Sequence, residues 1–412
     1  MSDDRLNAIV WPKADFTAVP YEIFRDKEIF DREEEELFRG RTWHYLGLEC
    51  EVTQPGDFIT GYVGQTPYVL SRARDGGLHA FVNRCAHRGG AVVRRLRGNS
   101  QDHRCIYHQW CYSPAGDLIG VPFERGHKGE GGYPEDFDKN EHGLEKVRLK
   151  AFCGIVFGTL CADTPPLEDY IGEAICERLK CYFQRPIRVT GYNRQTIGCN
   201  WKLFAENTRD LYHGPLLHGF LAKFGISAPT QKASSHLGGD GVHSMVTTWA
   251  DADAISAGQT GSQSKSLQLE DSSVAQGPLE FDDGMNMTII SLFPSSLFTL
   301  VANVYSIRQI RPKGPDQVET VFTYFVYEDD DEEMLAVRRK QANMYGPGGY
   351  VAMEDAEALE LVQQRLMAGN SLVEMGGRNI GGDVNTMLTE SPVRGFWRGY
   401  CDYMGIPVAG GQ

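Results

Sequence analysis

The sequence lacks the features that mark membrane-spanning, secreted and nucleic-acid-binding chains. No run of about eighteen apolar residues occurs anywhere, so no transmembrane helix is predicted. The opening segment MSDDRLNAIVWPK has no basic start followed by an apolar stretch, so no signal peptide is predicted. Lys and Arg number 41 against 55 Asp and Glu, which gives a formal net charge of -14. Because phosphate groups are bound by cationic side chains, neither nucleic acid nor an anionic membrane is expected as a partner.

Cysteine is also scarce for the length of the chain. Ten cysteines in 412 residues are too few for a small secreted scaffold held together by disulfides. We therefore expect a cytoplasmic protein with reduced thiols. The length exceeds that of a usual single domain, and a hydrophobic content of 41% is ordinary for a globular protein, so two folded domains are expected.

What the sequence does contain is two closely spaced cysteine–histidine pairs. One residue separates Cys85 from His87, and two separate Cys105 from His108. Two thiolates and two imidazoles on short loops are the ligands of a [2Fe-2S] cluster in which histidine binds one iron, and the neutral imidazoles raise its reduction potential. Structural zinc is the alternative for such a mixed site. The one-residue gap and the aromatic, glycine-containing surroundings favour the cluster.

The pattern along the chain predicts an α+β protein in three parts. Residues 1–40 end in a charged amphipathic stretch and are predicted to be an N-terminal helical segment. Residues 41–165 contain short alternating segments separated by glycine-rich turns, which predict an all-β domain carrying the cluster ligands. Residues 166–412 combine helical and strand-like patterns and are predicted to be a second domain.

Within the third part, the predicted elements surround one stretch of unusual composition. Residues 236–284 are rich in Gly, Ser, Asp and Gln, which predicts a long mobile loop. The strand-like runs are 287–294, 297–310 and 318–328. The predicted helices are 167–179, 329–344 and a helix that starts at Asp355 and ends near Leu366.

A second metal site is indicated by Asp210, His213 and His218. Histidine together with carboxylate is what non-haem Fe(II) oxygenases use to bind iron. On a regular helix Asp210 and His213 share a face, whereas His213 and His218 diverge by about 140°. Pro215 lies between the histidines and predicts a kink that turns His218 towards His213. A histidine pair alone is more often structural, but a preceding cluster needs an electron acceptor.

The motifs CAHRGG, CIYHQW, NWKLFAENTRDLYHGPLLH and GPGGYVAMED resemble those of the large (α) subunits of Rieske non-haem iron aromatic ring-hydroxylating oxygenases. The resemblance covers nearly the whole chain. It implies an all-β Rieske [2Fe-2S] domain at residues 41–165 and a helix-grip (START-like) catalytic domain with an antiparallel sheet at residues 166–412. The N-terminal helical segment of residues 1–40 would pack on this catalytic domain. It further implies that His213, His218 and Asp355 hold a mononuclear Fe(II). One departure is Gln109, which follows the cluster histidine where many relatives have glycine.

The same resemblance implies catalytic roles for Asp210 and Asn207. Family members form rings in which the cluster of one α subunit faces the iron of the next. Asp210 would therefore link His213 to the partner subunit's His108. Asn207 would lie near the iron, although a hydrogen-bonding role inside the helix is an equal alternative.

Within the family, the combination of ENTRDLYHGPLLHGF, SIRQIRPK, GPGGYVAMED and SPVRGFWRGY looks most like terephthalate dioxygenase, with salicylate 5-hydroxylase and anthranilate dioxygenase close behind. This resemblance implies cis-dihydroxylation of an aromatic carboxylate with O2 and NAD(P)H-derived electrons. Terephthalate is the substrate expected first. A monooxygenase or demethylase acting on a non-acid small molecule is the further alternative. An electron carrier without catalytic activity is the non-enzyme alternative.

Two arginines are candidates for binding a substrate carboxylate. Arg308 interrupts the otherwise apolar run 297–310, and a buried guanidinium requires an anionic partner. Such a partner is either the substrate, whose carboxylate matches the guanidinium fork, or an internal Asp or Glu. Arg394, in the apolar setting PVRGFW, is the second candidate and would answer a second carboxylate.

The electrons have to come from another protein. No nicotinamide or flavin fingerprint occurs in the sequence, so a ferredoxin and/or an NAD(P)H-dependent flavin reductase is expected as the donor. By resemblance to the family, the assembly is α3β3, or alternatively α3. Six arginines near the cluster ligands form a basic patch for an acidic donor, or else only a solvated loop: Arg84, Arg88, Arg94, Arg95, Arg97 and Arg104.

Overall fold

The computed structural model describes residues 9–224, 226–250, 269–378 and 383–410. The chain divides into two units, one of residues 38–165 and one that joins the segment up to residue 37 to the residues from 166 onward. The predicted boundaries were placed at 40/41 and 165/166. Among the described residues, no helix is both long and apolar enough to cross a membrane.

The N-terminal segment begins with strand β1 (Ala18–Pro20) and continues into helix α1 (Lys27–Glu33). The Asp26 side chain caps α1, because its carboxylate accepts hydrogen bonds from the N–H groups of Glu28 and Ile29. A π-helical turn at Glu34–Phe38 follows, so the amphipathic pattern of this segment does form helix.

Unit 38–165 is built from strands and contains both cluster loops. Its strands are β2 (His44–Leu48), β3 (Asp57–Val63), β4 (Thr66–Arg72), β5 (Leu78–Val82), β6 (Arg97–Asn99), β7 (His103–Arg104), β8 (Cys111–Tyr112), β9 (Leu118–Gly120), β10 (Lys146–Phe152) and β11 (Ile155–Thr159). Seven of them form one sheet in the order β2-β11-β10-β5-β4-β3-β6, and β7-β8-β9 form a second. Glycine-rich turns join short alternating segments, which is why this part of the chain folds into antiparallel strands.

The second unit places helices against one large sheet. Its first helices are α2 (Leu167–Ile171), α3 (Glu173–Tyr182), α4 (Trp201–Asn207), α5 (Gly214–Leu217) and α6 (Gly219–Lys223), and α7 (Glu332–Tyr345), α8 (Tyr350–Leu366) and α9 (Ser391–Met404) follow later. Its strands are β12 (Ile187–Ile197), β13 (Ala233–Gly238), β14 (His243–Trp249), β15 (Met285–Leu292), β16 (Ser296–Val301), β17 (Val304–Gly314), β18 (Gln317–Tyr327) and β19 (Leu372–Glu374).

The large sheet is antiparallel, with the order β12-β18-β17-β16-β15-β14-β13. Its central strands alternate between two faces because successive side chains of a strand point to opposite sides. The register places Val246 opposite Ile289 and Thr248 opposite Met287, and Met287 opposite Val301. These residues therefore share one face of the sheet, and that face also presents Arg308, which pairs with Leu297 and Phe322.

A buried polar cluster connects the N-terminal segment to the helices of its unit by hydrogen bonds. Glu33 and Lys202 are 1% and 0% exposed, and the Lys202 Nζ lies 2.6 Å from the Glu33 carboxylate. Trp201 Nε1 and Tyr400 Oη donate to the same carboxylate at 2.7 and 2.6 Å. Four hydrogen-bonding groups from α1, α4 and α9 thus satisfy one another in the core.

The structure corrects three predictions about the second unit. The predicted mobile loop 236–284 includes the end of β13 and all of β14, while residues 251–268 lie outside the described part. The predicted run 297–310 is two strands, since it turns at Ala302, whose φ is 52°. The helix that carries Asp355 begins at Tyr350, after Gly349, so Asp355 lies in its second turn. Local composition did not predict these features, because strand pairing depends on other strands and the start of the helix depends on the preceding glycines.

Candidate functional site

The two cluster loops are short connections between strands of unit 38–165. The loops carry the four predicted ligands, Cys85 and His87 after β5 and Cys105 and His108 between β7 and β8. Backbone hydrogen bonds close both loops, because the Cys85 N–H donates to Gly90 O and the Cys105 N–H donates to Trp110 O, each at 2.9 Å. The turns therefore hold both cysteines at defined positions.

Both cysteine sulfurs are buried and hydrogen-bonded. Cys85 and Cys105 are 3% and 1% exposed. The Tyr112 hydroxyl lies 3.2 Å from Cys85 Sγ, and the Tyr107 N–H donates to Cys105 Sγ at 3.5 Å. Burial raises the pKa of the Cys85 thiol. The Tyr112 hydroxyl offsets part of this effect, and a positive charge such as that of iron would stabilise the thiolate further.

The two cluster histidines lie side by side. Their ring centroids are 4.6 Å apart, and the His87 ring stacks on Trp110 at 4.8 Å. Nδ1 of His87 is buried without a hydrogen-bond partner among the described residues. A buried nitrogen in this state is costly unless it binds something, and iron ligation satisfies it. Two buried sulfurs and two adjacent imidazoles thus fit a [2Fe-2S] cluster.

The loops approach each other so closely that side chains are restricted. A Cβ added to Gly90 would lie 3.1 Å from Cys105 Sγ. Gln109 has a φ of 57°, in the left-handed region that favours glycine. Gln109, where many relatives have glycine, therefore occupies a strained backbone position next to the predicted ligand His108.

The predicted iron ligands converge in the second unit. His213 stands at the start of α5, His218 lies between α5 and α6, and Asp355 projects from α8. One ligand atom from each lies within 4.8 Å of the others. Nε2 of His213 and Nε2 of His218 lie 3.4 and 3.5 Å from Asp355 Oδ1. The sequence predicted a kink at Pro215, but Pro215 lies in the first turn of α5, and the chain leaves the helix before it, at residues 208–213, and after it, at His218. Two imidazoles with one carboxylate form the triad of a non-haem Fe(II) site.

Each triad histidine is held at its other ring nitrogen by a carboxylate. Nδ1 of His213 lies 3.2 Å from Asp210 Oδ2, and Nδ1 of His218 lies 3.0 Å from Glu354 Oε2. Such contacts fix the tautomer and the ring orientation of a metal-binding histidine. The sequence indicated Asp210 but not Glu354. The signal for Glu354 was its position directly before Asp355 in YVAMED, together with the rule that ligating histidines usually have a carboxylate partner.

Asn207 also contacts the triad. Its Nδ2 donates to Asp355 Oδ1 at 3.1 Å and lies 3.4 Å from His213 Nε2. The amide therefore lies beside the predicted iron site and holds the Asp355 carboxylate through a hydrogen bond. The structure thus brings together five of the predicted site residues: Asn207, Asp210, His213, His218 and Asp355.

The charges of the site favour a cation. Burial lowers the pKa of His213, but hydrogen bonds and charge from Asp210 and Asp355 outweigh this effect and raise the pKa to about 10. Burial raises the pKa of Asp355, whereas His213, His218 and Asn207 bring it below its ordinary value. A metal cation would compete with the proton at this site.

A cavity of about 180 Å³ lies between the triad and the large sheet. Its sheet wall is the face that bears Val246, Thr248, Met287, Ile289, Val301 and Arg308. Leu211, Leu221 and Met387 add apolar surface around the triad. A concave, largely apolar space beside a metal site is suited to hold an aromatic ring.

Arg308 has no anionic partner among the residues that the structure describes. It lines the cavity, its guanidinium carbon lies 4.7 Å from the centroid of the Phe322 ring, and its buried Nε has no hydrogen-bond partner. Burial lowers the pKa of Arg308. The alternative of an internal salt bridge is therefore not observed in the described residues, and the guanidinium is available to an anion in the cavity.

The prediction for Arg394 is corrected by its position. Arg394 is 3% exposed on α9 and does not line the cavity. Its Nε donates to the carbonyl of Asp15 at 2.9 Å, and its Nη1 donates to the carbonyl of Gly377. Arg394 therefore joins α9 to neighbouring backbone segments, and the apolar surroundings in the sequence reflected this buried structural role.

The two ligand sets define a class of protein. One unit presents buried thiols and imidazoles that fit a Rieske cluster, and the other presents a two-histidine, one-carboxylate triad beside a ring-sized cavity. Together they are the parts of a Rieske-type non-haem iron oxygenase.

Comparison with known proteins identifies the family. The family described as "Rieske [2Fe-2S] domain" matches residues 42–130, and "Ring hydroxylating alpha subunit (catalytic domain)" matches residues 181–406. The chain belongs to the aromatic ring-hydroxylating dioxygenases, as their large (α) subunit. The predicted fold class, the Rieske cluster and the mononuclear iron are confirmed with it, and electrons reach such enzymes from a reductase.

Relatives match over almost the full chain. The anthranilate 1,2-dioxygenase large subunit of Burkholderia cepacia is 42% identical over 98% of this chain and 97% of its own length. The terephthalate 1,2-dioxygenase terminal oxygenase component subunit alpha 2 of Comamonas sp is 40% identical over 96% and 98%. The naphthalene 1,2-dioxygenase of Rhodococcus sp. bound to indole shares the fold, with 23% identity, a TM-score of 0.78 and 94% of each chain covered.

Proposed function

We propose that this chain uses NAD(P)H-derived electrons and O2 to hydroxylate an aromatic ring that bears a carboxylate, by cis-dihydroxylation. Membership of the ring-hydroxylating family supports the reaction type. The position of Arg308 supports a carboxylate on the substrate, because its guanidinium lies in the cavity without a described anionic partner. Terephthalate is the substrate predicted from the sequence, with anthranilate and salicylate as alternatives.

The residues of the two sites have separate tasks in this proposal. Iron would be held by His213, His218 and Asp355, and the cluster by the two cysteine–histidine pairs. When bound, these groups supply electrons and the activation of O2. Asn207 orients the Asp355 carboxylate through its 3.1 Å hydrogen bond, and Asp210 holds the His213 ring through its 3.2 Å contact.

Arg308 would orient the substrate. A guanidinium offers two parallel N–H donors that match the two oxygens of a carboxylate. In a cavity lined by Val246, Met287 and Ile289, pairing removes an unpaired charge from apolar surroundings. Because the carboxylate is anchored, the ring occupies one position relative to the triad, and this position decides which ring carbons are hydroxylated.

The remaining partners belong to the same proposal. We infer a ferredoxin and/or an NAD(P)H-dependent flavin reductase as electron donor, an α3β3 or alternatively α3 assembly, and a cytoplasmic location. The exposed side chains of Arg88, Arg94 and Arg95 support an acidic donor, since complementary charge speeds and orients association. None of the ten cysteines is bonded to another, which supports a reducing compartment.

The proposal is tested at Arg308 with a control on the same strand. We expect Arg308→Gln to raise the KM for an aromatic acid at least about tenfold, because a charge-assisted bidentate contact is worth about 1.5 to 3 kcal/mol. Arg311 lies on the opposite face of β17 and is paired with Glu319 at 3.2 Å. Arg311→Gln should therefore leave this KM within about twofold of wild type. Iron content and the cluster absorption spectrum verify both variants, and an unchanged KM in Arg308→Gln would contradict the proposal.

A further inference from the structure

We infer that the cavity accepts a ring with one carboxylate and no second negative charge, so that a monocarboxylate is the substrate and a dicarboxylate is not. This inference rests on the proposed function and narrows its substrate class. It departs from the terephthalate expectation of the sequence, in which Arg394 was to bind the second carboxylate.

The charges that line the cavity are unequal in sign. Among the lining residues that the structure describes, Arg308 is the single arginine or lysine, whereas Asp210, Glu280 and Asp355 are acidic. A first carboxylate therefore has a cationic partner. A second carboxylate would have no cationic side chain as a partner in the described lining.

Two other buried arginines of this unit, Arg394 and Arg338, are already engaged. Arg394 lies outside the cavity and donates to backbone carbonyls. Arg338 donates to both oxygens of Glu280, at 3.0 and 2.7 Å, and it also contacts Asp330 at 2.8 Å. Because two carboxylates already pair with its guanidinium, Arg338 holds Glu280 in place and is not available to an anion in the cavity.

The wall that extends from Arg308 across the sheet is uncharged. On the same face, the hydroxyls of Ser306 and Thr299 are hydrogen-bonded to each other at 2.7 Å. Beyond them the face presents Ile289 and Val301. A ring anchored at Arg308 would direct its far side towards these apolar side chains, where an unpaired carboxylate is strongly disfavoured.

The test uses wild-type protein reconstituted with its reductase and a matched pair of ligands. Terephthalate and 4-carbamoylbenzoate have the same shape, but the second replaces one carboxylate by a neutral amide. Anthranilate and benzoate serve as monocarboxylates without a group at that position, and terephthalamide serves as a ring without charge. Oxygen consumption gives kcat/KM, and calorimetry gives dissociation constants that do not depend on turnover.

We expect kcat/KM for terephthalate to be at least about a hundredfold below that for 4-carbamoylbenzoate, with a weaker dissociation constant to match, because one carboxylate would be buried unpaired. Equal or better use of terephthalate would overturn the inference and leave the aromatic-acid function intact. Equal rejection of both para-substituted acids, with anthranilate or benzoate accepted, would also overturn it, since shape rather than charge would then select. Use of terephthalamide alone would overturn the proposed function itself.

Discussion

At the scale of single residues, the iron site depends on groups that do not bind the metal. His213 and His218 each present Nε2 towards Asp355, and each is held at Nδ1 by a different carboxylate. The two carboxylates come from different parts of the chain, Asp210 from the segment after α4 and Glu354 from α8. Because each orients one ring, their loss should have separable effects on metal binding and on electron transfer.

Glu354 should contribute to iron affinity. We expect Glu354→Ala to raise the dissociation constant for Fe(II) about 10- to 100-fold, because His218 loses the partner that fixes its ring, and Glu354→Gln to have a smaller effect because an amide oxygen can still accept the hydrogen bond. Titration of the metal-depleted protein with Fe(II) measures these constants. Glu357 is exposed on the same helix, and Glu357→Ala should bind Fe(II) as wild type does. Equal affinities in all three variants would remove Glu354 from the site.

Loss of the Asp210 carboxylate should affect electron transfer more than metal binding. We expect Asp210→Asn to retain iron and cluster, because the amide can still accept the 2.7 Å hydrogen bond from the Tyr212 N–H, yet to lower coupled turnover at least about tenfold. Metal analysis and single-turnover kinetics with a pre-reduced cluster separate the two effects. Asp383 forms a more exposed pair with His236 at 2.7 Å, so Asp383→Asn is the matched control and should keep normal turnover. Full coupled turnover in Asp210→Asn would contradict a transfer role.

At the scale of elements, helices are joined through one buried carboxylate. Glu33 on α1 binds Lys202 and Trp201 on α4 and Tyr400 on α9. Since α4 leads directly into the segment with the proposed iron ligands His213 and His218, the N-terminal segment stabilises the region of the triad although it lies far from it in sequence. Burial lowers the pKa of Lys202, which makes its charge depend on this partner.

Removal of the Glu33 carboxylate should destabilise this unit strongly. We expect Glu33→Ala to lower the free energy of unfolding by about 3 to 5 kcal/mol, because it leaves the Lys202 ammonium buried without a counter-ion. Urea denaturation followed by tryptophan fluorescence measures the loss. Glu36 pairs with Arg32 at 3.6 Å on the surface, so Glu36→Ala should change stability by less than about 1 kcal/mol. Similar small changes in both variants would show that the buried cluster does not stabilise the fold.

The elements also show which sequence signals were sufficient. Ligand spacing is local, so short motifs are enough to indicate Cys85, His87, His213 and His218 as candidate ligands. The kink predicted at Pro215 is wrong, because Pro215 lies in the first turn of α5. Strands β13 and β14 were missed because buried polar residues of this sheet, such as Thr248, hide the alternation of a strand.

Long-range partners could not be predicted from the sequence. Arg308 and Arg394 both stand in apolar segments, but one faces a cavity and the other meets carbonyls of Asp15 and Gly377. Glu354 contacts His218 across 136 positions of sequence. Composition around a charged residue indicates that it is buried, whereas only the fold determines what it is buried against.

At the scale of the whole molecule, both units contain a histidine that is buried in its neutral form. Burial lowers the pKa of His44 and of His243 to about 3. His243 Nδ1 accepts a hydrogen bond from the Phe293 N–H, and its Nε2 lies 2.8 Å from the Tyr170 carbonyl. In the unfolded chain these two histidines bind protons near pH 6.5, whereas in the folded chain they do not. This stabilisation is therefore complete above about pH 6.5 and is lost as the pH falls from there towards 3.

We expect the free energy of unfolding to fall between pH 7.5 and pH 5.5, with about 1.4 kcal/mol of the fall contributed by His243. In His243→Gln this share of the pH dependence should disappear, although the variant is less stable at every pH because the amide does not reproduce both ring contacts. Urea denaturation at the two pH values measures the difference. Exposed His127 provides the control, and His127→Gln should keep the full pH dependence. An unaltered slope in His243→Gln would exclude His243 as the source.

The position of Arg308 inside the large sheet has an evolutionary consequence. Its strand is paired on both sides, with Leu297 on β16 and Phe322 on β18, so the backbone beneath the guanidinium is immobilised by two neighbours. Descendants of this enzyme could hardly relocate their anchor without dismantling three strands. New specificities for aromatic acids would therefore arise by substitution of the aliphatic residues around an arginine whose position stays the same.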